Sequence, residues 1–129
     1  MTINRSTAVD RDRCLVTVCR GCCCGDAGRH PGVDHAAHFD ELMRGLGNSA
    51  DVRVTNCLLV CGESNVVVVS PTQSARVECG ARPIWLGRVL DSLTVASIVR
   101  WVKAGGPGRA DLPSDLATIA TEPFTDLVP

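Results

Sequence analysis

Residues 65–70, NVVVVS, narrow the possible folds more than any other stretch of the chain. Four consecutive valines cannot alternate between an apolar and a polar face, so a strand built from them is buried on both sides. Such a strand belongs in the middle of a sheet. CLVTVC (14–19) is short, β-rich and bounded by Gly21, and reads as a first strand. Asp34 caps a helix over HAAHFDELMRGLG, in which Phe39, Leu42, Met43 and Leu46 recur at helical spacing before Gly47 stops it. DVRVTN (51–56) alternates as a second strand and runs into CLLVCGES, a turn between strands. PTQSARVECGARP is a polar connection, and IWLGRV (84–89) is a further strand. Asp91 or Ser92 caps a last helix, LTVASIVRWVKAG, with Leu93, Ile98, Val99 and Val102 near one face. The expected order is β-α-β-β-β-α, with no internal repeat.

With 129 residues the chain is long enough to bury a core of its own as one domain. Its 13 basic and 14 acidic side chains nearly cancel, which gives no electrostatic reason to expect nucleic acid or an anionic membrane as partner. An aromatic content of 3% offers no stacking platform for bases. MTINRSTAVDRDRC has no apolar signal-peptide core, and no run of roughly 18 apolar residues could span a bilayer. A cytoplasmic location is therefore expected. There the eight cysteines would not form a disulfide framework, and cysteine clusters more often bind metal or do redox chemistry.

Those cysteines fall at equivalent places in the pattern. Cys19 and the triplet Cys22, Cys23 and Cys24 follow the first strand; Cys57 and Cys61 follow the second. If the two strands are neighbours in one sheet, their following loops emerge on the same edge and two distant segments bring thiols together. A 2Fe-2S cluster needs four thiolates, two per iron, in a site shielded from water. Leu58, Leu59 and Val60 between the second pair would supply such a cover.

VTVCRGCCCG, followed by RVTNCLLVCGESNVVVVSP and IWLGRV, resembles the thioredoxin-like 2Fe-2S ferredoxins. It is also similar to the cluster-bearing small subunit of complex I-type NADH dehydrogenases. The shared pattern is C-x4-C after the first strand, here Cys19 to Cys24, and C-x3-C after the second, here Cys57 to Cys61. The resemblance covers roughly residues 14 to 104 and implies a thioredoxin-like α/β fold. That fold is a mixed sheet of four or so strands flanked by two helices. It sits between a flexible N-terminus (1–13) and a Gly/Pro-rich C-terminal tail (105–129) that packs over the domain or stays mobile. It further implies a 2Fe-2S cluster on Cys19, Cys24, Cys57 and Cys61, with Cys23, and more weakly Cys22, as substitutes for Cys24. The implied role is one-electron transfer to a redox protein partner, with no substrate chemistry, in a homodimer.

Two other readings compete for the same cysteines. Zinc takes four thiolates tetrahedrally, although C-x3-C with C-x4-C fits poorly beside the usual C-x2-C pairs. A disulfide-exchanging dithiol is the other, against which stands the lack of a Trp-Cys-x-x-Cys motif opening a helix. Cys14 alternates with Val16 and Val18 and reads as a small buried hydrophobe, while Cys79 reads as an ordinary free thiol. His30, His35 and His38 invite a metal reading, but an exposed helix face is the simpler expectation for them.

Overall fold

The valine run does lie at the centre of a sheet. The computed structural model describes residues 12–20, 28, 30–55 and 65–121. In chain order its elements are β1 (Cys14–Cys19), α1 (His35–Leu46), β2 (Ala50–Thr55), β3 (Val67–Ser70), α2 (Gln73–Cys79), β4 (Ile84–Leu86), α3 (Ser92–Lys103), α4 (Ser114–Ala117) and β5 (Ala120–Thr121). The strands form one sheet in the order β2-β1-β3-β4-β5. β1 and β2 are parallel, with Cys14 opposite Ala50 and Cys19 opposite Thr55. Every other pair is antiparallel. The result is a mixed α/β fold, a central sheet flanked by helices, broadly thioredoxin-like in topology.

Strand alternation divides the side chains between two faces. Cys14, Val16, Val18, Val67, Val69 and Leu86 join Leu42 and Leu46 of α1 and Val95, Ile98, Trp101 and Val102 of α3 in the main core. The opposite face holds a smaller cluster of Cys19, Val66 and Val68, with Trp85 packed against it. All four valines are therefore buried, at most 6% exposed, with alternate residues facing opposite ways. Capping follows the sequence closely: Asp34 and Asp91 accept from the backbone N–H groups of Ala37 and Thr94, at 3.0 and 2.8 Å.

Three segments differ from their sequence reading. The supposed polar connection contains α2, whose Thr72 hydroxyl accepts from the Ala75 N–H at 3.0 Å and whose C-terminus is closed by left-handed Gly80. IWLGRV is extended only to Leu86, because Gly87 N–H bonds to the Ile119 carbonyl and Val89 N–H to that of Asn65, and Arg88 adopts a positive φ of 52°. Beyond residue 104 the chain is more ordered than an irregular tail. α4 buries Leu116 completely, β5 pairs with β4, and Ala110 accepts from the Trp101 indole N–H at 3.1 Å. No helix among the described residues is long and apolar enough to cross a membrane.

Candidate functional site

Because β1 and β2 run parallel, both end at the same edge of the sheet, and antiparallel β3 starts there. Cys19 N–H donates to the Val66 carbonyl at 3.1 Å, and Arg20 N–H to the Thr55 carbonyl at 2.9 Å. The connection carrying Cys22, Cys23 and Cys24 departs at Arg20. The connection carrying Cys57 and Cys61 departs at Thr55 and rejoins at Asn65, one residue before Cys19's partner Val66. These five cysteines lie outside the described residues.

Cys19 is 1% exposed. Around it the described residues form a braced polar frame. The Arg20 guanidinium donates to the carbonyls of Cys19 at 2.9 Å and His35 at 3.4 Å, which ties the end of β1 to the first turn of α1. Asn65, 1% exposed, places its amide nitrogen 2.8 Å from His35 Nδ1. This contact ties the first turn of α1 to the residue that leads into β3. The His30 and His35 rings lie 6.3 Å apart, tilted to one another. His35 and His38 are half-buried, not displayed on an exposed helix face as expected. His35 does structural service to the edge, a role its sequence position did not disclose, since Asn65 is thirty residues away.

The remaining described thiols stand elsewhere. Cys14, at the far end of β1, donates to the Gly105 carbonyl at 3.4 Å, and burial pushes its pKa up. It is a core residue, 2% exposed. Cys79 is exposed at the end of α2, with Arg109 Nη1 3.5 Å from its sulfur.

This geometry corrects the iron–sulfur expectation. Among the described residues no group of three or more His, Cys, Asp or Glu side chains is placed to hold a metal ion. Cys19 is the one expected ligand within them; it has neither Cys14 nor Cys79 beside it. Cys24, Cys57, Cys61 and the substitutes Cys22 and Cys23 lie outside the described residues. Comparison with protein-family models, with curated proteins and with solved structures returns no match. The ferredoxin and complex I resemblance, the 2Fe-2S cofactor and the one-electron carrier role are accordingly withdrawn. What stands is a small α/β domain with a thiol at a braced sheet edge.

Proposed function

We propose that this chain is a thiol–disulfide exchange module whose reactive thiols belong to the two connections flanking Cys19. One observation carries the reading. The hydrogen bonds from Cys19 to Val66 and from Arg20 to Thr55 hold the roots of both cysteine-bearing connections on one edge. Local thiol concentration is then set by the fold and not by diffusion.

The chemistry is a balanced exchange with a disulfide of a small thiol or partner protein. A thiolate from Cys22, Cys23 or Cys24 attacks the disulfide, forming a mixed disulfide and releasing one partner thiol. Cys57 or Cys61 then attacks the mixed disulfide and releases the second. Two chain thiols become one internal disulfide, while the partner's disulfide becomes two thiols. A reducing cytoplasm, able to return the pair to its dithiol form, suits such a cycle.

Peptide mapping of protein poised at a series of glutathione ratios tests this. The expected product joins one cysteine of residues 22–24 to Cys57 or Cys61, with Cys14 and Cys79 still free, and the Cys57→Ser, Cys61→Ser double variant lacks it. Disulfides confined to one connection would sink the proposal. So would an anaerobic preparation carrying about two irons and two sulfides per chain.

A further inference from the structure

Between α2 and the strands β4 and β5 lies an open cleft of about 720 Å³. It is lined by Arg76, Arg82, Pro83, Ile84 and Trp85, together with Ala120 and Thr121 of β5, the strand paired with β4. Arg76 comes from α2. Arg82 comes from the loop that left-handed Gly80 turns back against the helix, where Ala81 N–H donates to the Ala75 carbonyl at 3.3 Å. A smaller cleft of about 520 Å³ shares Arg82 and Ile84, so Arg82 stands where the two meet.

The charge here is unbalanced. No carboxylate lines the larger cleft among the described residues. Neither Arg76 nor Arg82 has an ion pair or side-chain hydrogen bond there, and both are exposed. Arg109 binds Glu78 at 2.7 Å, and neither of them lines this cleft. Trp85 is half-buried, packs against the cluster containing Cys19 and is one of the residues lining the cleft. By contrast, Trp101 is 3% exposed and already donates its N–H to Ala110.

Two unengaged guanidinium groups beside an indole and an isoleucine make a surface with a defined chemical preference. Guanidinium forks match the oxygens of phosphate and carboxylate, often two at a time. The indole face and the Pro83–Ile84 strip favour a flat apolar body. We infer that this cleft is a binding site for a small phosphate-bearing ligand with a planar ring, the phosphate held by Arg76 and Arg82 and the ring against Trp85. The site stands on its own residues and does not depend on the thiol exchange proposed for the two connections flanking Cys19.

The two tryptophans give a direct reporter, because the chain has no others. Phenyl phosphate is titrated into the ¹⁵N-labelled full-length protein and the two indole N–H resonances are followed. Trp85 should shift and saturate, and by clearly more than Trp101, which is 3% exposed and borders only the smaller cleft. Inorganic phosphate and benzyl alcohol, each lacking one half of the recognition, should bind at least roughly tenfold more weakly, in line with charge-assisted contacts carrying much of such sites. Arg82→Gln or Arg76→Gln should weaken phenyl phosphate binding about fivefold or more, and raised salt should do likewise. Arg53→Gln, an exposed arginine on β2, should change nothing. No saturable Trp85 shift, equal binding of inorganic phosphate, or an equal loss in the Arg53→Gln variant would each overturn the assignment.

Discussion

Single side chains at the helix ends decide much of what the sequence made readable. Asp91 was one of two adjacent caps the pattern allowed, and the structure selects it. Its carboxylate accepts from Thr94 N–H, which holds its pKa below the usual carboxylate range, with His38 adding a smaller favourable charge. A carboxyl depressed on folding contributes stability that is present above its unfolded pKa and lost as pH falls through the folded value. Asp91→Ala should therefore cost about 1 kcal/mol near neutrality. Urea titrations should show that gap narrowing as pH drops below about 4, where the unfolded carboxyl takes up its proton, and closing as pH falls through the lower folded value. The Asp91→Asn variant keeps a capping oxygen and should lose less at neutrality. A gap between Asp91→Ala and wild type that did not change with pH would mean the carboxylate is not the operative group.

At the scale of elements, local pattern succeeded where one hydrogen-bonded unit was long enough to show its period. β1 and both long helices were legible to within a residue or two, because capping residues and apolar spacing agreed. The phase of α3 was not fully legible. Leu93, expected on the packed face, is 82% exposed, and Trp101 takes a buried place that was not assigned to it. α2 was hidden because its seven residues contain one buried apolar side chain, Ala75, too few to reveal a period. The packing of α1 on α3 depends on Gly45, which has no signal in sequence terms. A Cβ there would meet the Val99 methyl carbons at 2.8 and 3.0 Å. Ordinarily Gly→Ala within a helix gains up to about 1 kcal/mol. Here the stiff β-branched Val99 must move, and overpacking of this kind costs roughly 1–3 kcal/mol. Gly45→Ala should thus lower the urea midpoint with an unchanged m-value. A Val99→Ala change in the same background should restore part of the loss, which distinguishes a helix–helix clash from a defect within α1.

Across the whole molecule, the sheet order explains both the successes and the limits of the sequence reading. The sequence reading took adjacency of the first two strands as a condition, and the structure meets it with a parallel β1–β2 pair. The chemistry built on the placement of the cysteines required ligands that the described residues do not assemble. The mixed α/β class was legible because the longer strands and helices announce themselves locally, whereas the strand order and two-residue β5 were not. A site was not, since His35, Arg20 and Asn65 meet at the edge only after α1 and β3 have folded against β1. The segment after residue 104 shows the same dependence. Gly and Pro gave it the look of a tail, yet Gly106 passes so close to Cys14 that a Cβ would stand 2.6 Å from its sulfur. Leu116 is fully buried in the main core, and β5 covers the outer edge of β4. Leu116→Ala should accordingly destabilise the entire domain by about 2–5 kcal/mol, as for other buried leucines. Amide exchange should then accelerate in β1 and β3 as well as in β5, because the core is shared. If exchange quickened only beyond residue 104, those residues would be an appendage with their own local stability, and the sheet would be complete at β4.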